Sequence, residues 1–358
     1  MNHGNELQTD IGYDDETAGL LTDSIERILS DLCTTTLLRA SESQEQGDTV
    51  VKTLWAALEA AGLSDALRDD ESGDGALGWA EVRGLIEACG RWGLPAPLPE
   101  TLAAQALCRM AGAQTPEGIS TIAVASREGD RVIAHGVAHA RLASKVLVTL
   151  PSEDDESQCL WQFEPARAAV RPSVGIAEDR AELCWLASEG RELGVLPRGI
   201  EVLSVGAAIR CAQIAGACAR VLQMSTTYAS DRVQFGRPIS KFQAIQQQLA
   251  LAGEWTAMAA MASQLALAGP GLALDPHRVA AAKQVASTAV QQCCEIAHAV
   301  HGAIGVTAEY DLQLFTRRLW TWAADFGSAL HWSRALGSQL LDRAPEYCWD
   351  EVVRISSV

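Results

Sequence analysis

The stretch DRVQFGRPISKFQ, residues 231–243, contains the residue types with the clearest chemical potential in this sequence. Arg232 is followed at short spacing by Phe235, Gly236 and Pro238, and Gln243 stands in the next amphipathic run. An arginine and backbone amides at a helix junction can bind the phosphates of a dinucleotide. The same residues also make a good joint between two helices, because glycine ends a helix well and proline restricts the next start. The motif alone supports both interpretations equally.

Histidine and cysteine do not form a second reactive pattern. His298 and His301 are three residues apart at a predicted helix end, where a cationic helix terminus or buried packing explains them better than metal binding. The ten cysteines are scattered, and the adjacent pair Cys293-Cys294 lacks the spacing of a metal or redox site. We therefore expect buried free thiols in a reducing compartment and no metal.

The bulk composition excludes several classes of partner. The chain has 358 residues, of which 48% are hydrophobic, so it can bury a large core in two or three domains. Its formal charge of −17 argues against nucleic acid or an anionic membrane surface as a partner. We find no apolar run of the roughly 18 residues that a membrane helix needs and no signal peptide at the N-terminus. These features predict a cytoplasmic protein.

Helical and β-rich segments follow one another along the chain. Residues 1–20 are mostly polar and are predicted to be disordered. In residues 21–117, alanine and leucine recur at spacings of three and four, which predicts an N-terminal helical domain. Residues 118–190 contain short segments, most of them rich in valine and isoleucine, separated by turns, which predicts a small antiparallel β domain. Residues 197–358 have long helical patterns with short links, which predicts a four-helix bundle.

The resulting fold class is α+β, mainly α, with the β domain in the middle of the chain. The order of a helical domain, a β domain and a helical bundle is unusual enough to narrow the choice of fold. The helices predicted for the bundle cover residues 200–230, 241–268, 277–301 and 313–341.

This architecture and the 231–243 stretch together resemble the acyl-CoA dehydrogenase family. The bundle of that family carries the pattern Arg-x-x-Phe-Gly-x-Pro-(Ile/Leu)-x-x-x-Gln, and this sequence fills every position from Arg232 to Gln243. A second stretch, AHAVHGAIGVTAEYDLQLFTRR, resembles the family's His-Gly-Gly-x-Gly-(Tyr/Phe) loop, with His301, Gly302 and Gly305 in place. The fragment GRWGLPAPLPETLAA, residues 90–104, is similar to part of the family's first domain.

The resemblance implies FAD as the cofactor. In the family, the first motif reaches across a subunit interface to the FAD of a neighbouring chain. On that pattern Arg232 pairs with a phosphate and Gln243 forms a hydrogen bond nearby. The other expected cofactor-binding positions lie in the same stretch and in the second loop: Gln234, Phe235, Gly302 and Ala303.

The resemblance also implies a reaction for which this chain lacks the usual base. The family removes a proton α to a thioester carbonyl with a carboxylate, while the β hydride goes to the flavin. In most members the base is a glutamate, and its position aligns with Phe326-Gly327 here. Asp325, one residue earlier, is a shorter acid that should point elsewhere, and it stands as a candidate only. In another branch the base aligns with about Gly206, and the nearest acid, Glu201, is more than a helical turn away.

Parts of the family's FAD pocket are also altered. We find no Thr-Glu-Pro-x-Ala-Gly-Ser-type segment between residues 119 and 186. A glutamine that often contacts the adenine half of FAD is replaced by Ala299, and the second glycine of the loop is Ala303. The sequence is therefore similar to the short, base-lacking subunits of bacterial heteromeric acyl-CoA dehydrogenases, some of which act in steroid side-chain degradation.

Three functions remain open. The first is a subunit that dehydrogenates an acyl-CoA only with another chain of the family, in a dimer of dimers, and passes electrons to an electron-transferring flavoprotein. The second is a self-sufficient homomeric dehydrogenase with a displaced base. The third is a non-enzymatic assembly homologue without flavin. The missing glutamates argue against the second, and the retained Arg232, Phe235 and Gln243 argue against the third.

Overall fold

The computed structural model describes residues 11–43, 47–68, 77–152, 157–173, 179–342 and 348–356. The first domain is helical, as predicted. Its helices are α1 (Ile11–Leu32), α2 (Thr35–Ser41), α3 (Gly47–Ala60), α4 (Trp79–Trp92) and α5 (Leu98–Met110). Because α1 begins at Ile11, the predicted disorder is wrong for residues 11–20, and residues 1–10 lie outside the described part.

The middle domain contains two four-stranded sheets. Its strands are β1 (Ser120–Ile122), β2 (Ala125–Glu128), β3 (Arg131–Ala138), β4 (Lys145–Pro151), β5 (Gln158–Phe163), β6 (Ala169–Ser173), β7 (Arg180–Leu186) and β8 (Arg191–Val195). The sheet orders are β1-β4-β5-β8 and β2-β3-β7-β6. Pairing is antiparallel as predicted, except that β1 and β4 are parallel. Strand β8 extends the β domain beyond the predicted limit at residue 190. Its side chains are mostly exposed, so the sequence shows no alternating pattern there, and the strand is held by backbone pairing with β5.

The C-terminal domain is a helical bundle in which the predicted fourth helix is divided. Its helices are α6 (Val202–Asp231), α7 (Gln243–Ala266), α8 (Pro276–His301), α9 (Leu312–Ala324), α10 (Ala329–Asp342) and the short α11 (Cys348–Ser356). The single helix predicted over 313–341 is wrong, because Phe326 and Gly327 adopt positive φ values of 51° and 94° and end the helical path. The break falls at the position where the resemblance placed a catalytic glutamate.

Helix α6 is the central helix of the bundle. By length and composition alone it could cross a membrane, which corrects the expectation from the sequence, but 89% of its most apolar window is buried inside the protein. It packs against α4, α7, α8 and α9, so its hydrophobic residues form core contacts on several sides. This helix connects the two ends of the bundle that carry the candidate sites.

The crossing of α4 and α6 depends on glycine. A methyl group at Gly216 of α6 would overlap the carbonyl oxygen of Glu87 in α4. Gly216→Ala should therefore lower the free energy of unfolding by about 1–3 kcal/mol, because the two helices must separate. Gly253→Ala in α7 is the matched control, since nothing lies within 4 Å of the added methyl group, and it should gain about 0.5–1 kcal/mol. Urea unfolding of both variants measures the difference, and equal stabilities would contradict the steric argument.

Candidate functional site

A cleft of about 480 Å³ lies between the β domain, α6 and the loop that joins α9 to α10. The β domain contributes mainly small and apolar side chains, and the bundle contributes charged and aromatic ones. The residues that line the cleft include Val124, Arg180, Arg210, Asp325, Phe326 and His331. The cleft therefore combines apolar and charged lining residues. It includes Asp325 and Phe326, at the position where a catalytic base was expected.

The two positions at which the resemblance places a catalytic base, Gly206 and Phe326, meet each other at this cleft. Gly206 of α6 faces the ring of Phe326, and a methyl group at Gly206 would overlap that ring. Phe326 also lies beneath the guanidinium of Arg210, with 5.6 Å between the guanidinium carbon and the ring centroid. Neither position carries a group that can accept a proton, and the ring of Phe326 fills the space that a side chain at Gly206 would need.

The loop that carries Phe326 is fixed by backbone contacts. Trp332 donates its indole N–H to the carbonyl oxygen of Phe326 at 2.9 Å. A side chain at Gly327 would collide with the rings of His331 and Trp332. This steric restriction and the positive φ of the residue both favour glycine here. The aromatic side chain is therefore held against Gly206 by the shape of the loop.

Asp325 is the centre of a buried network of charges. It accepts two hydrogen bonds from Arg180 of β7, at 2.8 and 2.6 Å, and one from Nε of Arg210 at 3.1 Å. Arg210 in turn pairs with Glu100 of α5 at 2.7 Å. Both carboxylate oxygens of Asp325 are thus occupied by hydrogen bonds from arginine, so neither is free to approach a substrate. The network links the three domains and makes Asp325 a poor catalytic base.

Glu201 is the other acid that the sequence analysis considered. It precedes the first turn of α6, and burial raises its pKa while the nearby charge of His331 acts in the opposite direction. Its side chain does not line the cleft among the residues that the structure describes, although His331 does. The pKa of Glu201 is therefore shifted in the direction that suits a catalytic base, but its side chain does not line the cleft.

Lys283 of α8 supports the same loop from the core. Its ammonium group is fully buried and donates to the carbonyl oxygens of Trp322, Ala323 and Gly327 at 2.9–3.2 Å. The first two carbonyls belong to the last turn of α9, where a positive charge is favoured by the helix dipole. Burial lowers the pKa of Lys283 to about 8. One ammonium group thus ties the end of α9 to the loop that follows it.

The shifted lysine predicts a dependence of stability on pH. Folded Lys283 loses its proton near pH 8, whereas the unfolded chain keeps it up to the ordinary pKa of 10.5. Because the unfolded state binds more protons between these values, this group should raise the free energy of unfolding by up to about 3 kcal/mol as the pH increases through the window.

Urea unfolding of wild type and Lys283→Met across that window measures this contribution. Cys211, Asp325 and Arg210, the charged and titratable groups around Lys283, are present in both proteins, so the difference between the profiles isolates the lysine. Parallel profiles would show that Lys283 does not titrate there.

The 231–243 stretch forms a solvent-exposed hairpin at the opposite end of α6. Strands β9 (Val233–Gln234) and β10 (Arg237–Pro238) pair through a turn in which Phe235 and Gly236 have φ values of 52° and 81°. Both central residues therefore adopt the left-handed conformation of a type I′ turn. Phe235 is 92% exposed, and a bulky residue in this conformation at full exposure is costly for a single chain. We call residues 232–243 the arm.

The second loop lies beside the arm. His301, at the end of α8, stacks on Tyr228 in the last turn of α6, with ring centroids 4.4 Å apart. Gly302 and Ala303 follow and are exposed, and a side chain at Gly302 would meet nothing within 4 Å. Burial lowers the pKa of His301, whose Nδ1 donates to the carbonyl of Ala297. His301 is therefore a packing residue that places the loop next to the arm.

The structure separates the predicted site residues into two places. Those expected to contact a neighbour's cofactor gather at the C-terminal end of α6: Arg232, Gln234, Phe235, Gln243, Gly302 and Ala303. Asp325 lies at the cleft, near the N-terminal half of the same helix. From Arg210 to Asp231, α6 extends about 30 Å, because an α-helix rises about 1.5 Å per residue. The arm is thus far from the cleft of its own chain.

The arm fits the binding of a dinucleotide. Arg232 is exposed and has no described carboxylate within 4 Å, so its guanidinium is available for a phosphate. The open backbone at Gly302 allows a ligand to approach closely. The arginines and Asp325 of the cleft, in contrast, are already bound to one another.

Sequence reasoning missed the charged residues that stabilise the cleft: Glu100, Arg180, Arg210 and Lys283. The sequence contains one feature that could have identified two of these residues. Arg210 and Lys283 are isolated charges within the apolar runs GAAIRCAQIAG and VAAAKQVAS, and a charge in such a run must find a buried partner. Their partners could not be found from the sequence.

Residues 198–323 match a family model described as acyl-CoA dehydrogenase, C-terminal domain. The chain is 25% identical over 308 residues to acyl-CoA dehydrogenase IpdE2 of Mycolicibacterium smegmatis, covering 85% of this chain and 92% of that protein. It shares its fold with the ChsE4-ChsE5 complex of Mycobacterium tuberculosis, at a TM-score of 0.74 and 22% identity over 92% of this chain and 98% of that one. The steroid ACAD Tcur3481-Tcur3483 gives a TM-score of 0.74 and 23% identity, over 92% and 99%.

Proposed function

Because the chain belongs to the acyl-CoA dehydrogenase family of oxidoreductases, we propose that it acts as a subunit that completes the FAD site of a base-carrying partner chain. In this proposal the assembly removes two hydrogens from the α and β carbons of an acyl-CoA. The partner is another chain of the same family, in a dimer of dimers.

The contact between Gly206 and Phe326 carries this proposal. Proton abstraction next to a thioester carbonyl needs a carboxylate within hydrogen-bond reach of the α carbon. The two positions that supply it in relatives are filled here by a bare backbone and an aromatic ring that pack together. Asp325 is nearest in sequence, but Arg180 and Arg210 already bind its oxygens. The base therefore has to come from a second chain.

The exposed arm supports the same proposal from the other end of the bundle. Arg232 would bind a phosphate of the partner's FAD, and Gln234, Phe235 and Gln243 would line the dinucleotide beside it. Gly302 and Ala303 would contact the same cofactor. When bound, FAD supplies the acceptor for the β hydride. Since the arm lies about 30 Å along α6 from the cleft of its own chain, it serves another chain's cofactor.

Two further proposals concern the substrate class and the electron acceptor. One of the solved structures similar to this chain is a steroid ACAD, so we propose a steroid-derived or similarly bulky acyl-CoA as the substrate. Electrons would leave through an electron-transferring flavoprotein. We further propose a cytoplasmic location, without nucleic acid or membrane partners, in line with the formal charge of −17.

The visible absorbance spectrum of the chain, expressed alone and gently desalted, tests the proposal. A colourless or strongly substoichiometric protein is the expected result, because the arm requires another chain's pocket. Co-expression with a base-carrying chain of the family should then restore the flavin spectrum. A flavin content near one FAD per chain in the protein expressed alone would contradict the proposal, since the chain would then build complete pockets with itself.

A further inference from the structure

The register of the arm hairpin places two arginines on one face. Gln234 lies directly opposite Arg237, and the amide of Ile239 donates to the carbonyl of Arg232 at 2.8 Å, which continues the pairing by two positions. Side chains alternate between the two faces of a β ribbon, so Arg232, Gln234 and Arg237 share a face. Arg237 belongs to a position that the family pattern leaves unspecified.

The spacing of these arginines suits two adjacent anionic groups. Arg232 and Arg237 are diagonal neighbours in the ribbon, and such neighbours have backbones about 7–8 Å apart. Long, flexible guanidinium side chains at this spacing can converge on neighbouring phosphates. Neither arginine has a carboxylate within 4 Å among the described residues, although the chain carries 45 acidic residues. Arg232 and Arg237 repel each other on this face, and an anion bound between them would relieve the repulsion.

Arg237 is also held in place before any ligand arrives. Its guanidinium lies over the ring of Phe242, with 4.3 Å between the guanidinium carbon and the ring centroid. Phe235 packs edge-on against the same ring, at a centroid distance of 6.0 Å. Stacking occupies the flat face of a guanidinium and leaves the N–H donors at its edge free. The aromatic pair thus orients Arg237 and reduces the conformational entropy that binding would cost.

We propose that Arg237 is a second pyrophosphate-binding residue, which together with Arg232 neutralises both phosphates of the partner chain's FAD. One guanidinium then faces each phosphate charge, and Gln234 lies between them on the same face. The inference rests on the proposed function, because it assigns a further residue to the same cofactor contact. It also explains why the arm has no acidic side chain opposite either arginine.

The test compares FAD affinity in the assembly that the chain forms with its base-carrying partner. Apo assemblies that contain wild type, Arg232→Gln or Arg237→Gln are titrated with FAD, and binding is followed by quenching of flavin fluorescence. Each substitution should raise the Kd for FAD about tenfold or more, since each removes a charge-assisted hydrogen-bond donor. Arg131→Gln, which removes an exposed hairpin arginine of the β domain, is the control for net charge and should change the Kd less than twofold. Size-exclusion chromatography with light scattering shows whether each assembly stays intact.

The outcomes of this titration distinguish the inference about Arg237 from the proposed function on which it rests. A higher Kd for both arm variants in intact assemblies supports the inference. A higher Kd for Arg232→Gln alone overturns the inference and leaves the proposed function in place. Unchanged affinity in both variants overturns both. If Arg237→Gln dissociates the assembly while FAD affinity stays normal in the part that remains intact, Arg237 binds a carboxylate of the partner chain, and the inference is again overturned.

Discussion

Replacing Asp325 with alanine should lower the free energy of unfolding by about 3–5 kcal/mol, because it leaves two arginines without their shared carboxylate in a buried site. Arg180 and Asp325 are each 12% exposed, and Arg210 is 1% exposed. Arg180 would lose both of its hydrogen bonds to the carboxylate, whereas Arg210 would keep its pair with Glu100 and its hydrogen bond to Gln213. The loss would also remove the ion pair between Arg180 of the β domain and Asp325 of the bundle, which is one of the links between these domains.

Asp311→Ala is the matched control for this substitution. Asp311 pairs with Arg39 at 2.6 Å, the same distance as between Asp325 and Arg180, but its side chain is 34% exposed and that of Arg39 is 36% exposed. An ion pair of this kind contributes about 0–1 kcal/mol. Urea unfolding monitored by tryptophan fluorescence measures both variants. A loss below about 1 kcal/mol for Asp325→Ala would show that the network does not hold the domains together.

The isolated chain is expected to oxidise acyl-CoA thioesters at least about 10²–10⁴-fold more slowly than its assembly with a base-carrying partner, since a positioned general base alone contributes a factor of this size and the chain alone is expected to hold little FAD. The physical reason is the aromatic contact at the cleft: neither Gly206 nor Phe326 can accept a proton, and the oxygens of Asp325 are bound to arginine. Reduction of an artificial electron acceptor with a panel of acyl-CoA substrates, including bulky steroid-like ones, gives the two rates.

Two variants decide how this comparison is interpreted. Substitution of the partner's base by glutamine should slow turnover of the assembly about 10²–10⁴-fold while FAD stays bound. Turnover by the isolated chain at the rate of the assembly would contradict partner dependence. In that case Asp325→Asn and a substitution of Glu201, whose pKa is raised by burial, would identify the displaced base.

The sequence predicted the order of the domains and the position of the arm, but not several boundaries. Periodicity identified α6, α7 and α8, because each is long and keeps one spacing throughout. It failed at Asp325–Ser328, where the helical spacing continues although the backbone turns. It also failed at β8, since a strand with exposed side chains has no alternating pattern and depends on its hydrogen bonds to β5.

The local sequence is sufficient to specify the arm, whereas the chemistry available in the cleft depends on the tertiary structure. The residues of the arm lie within a dozen positions of one another, so their order alone specifies a turn, a guanidinium and the aromatic rings near it. The cleft, in contrast, is assembled from distant parts of the chain. Arg180 and Asp325 are 145 residues apart, and Arg210 and Asp325 are 115 apart. Whether an acid at 325 is a free base or a buried partner of arginine depends on which cations the fold brings to it, and no local pattern encodes that.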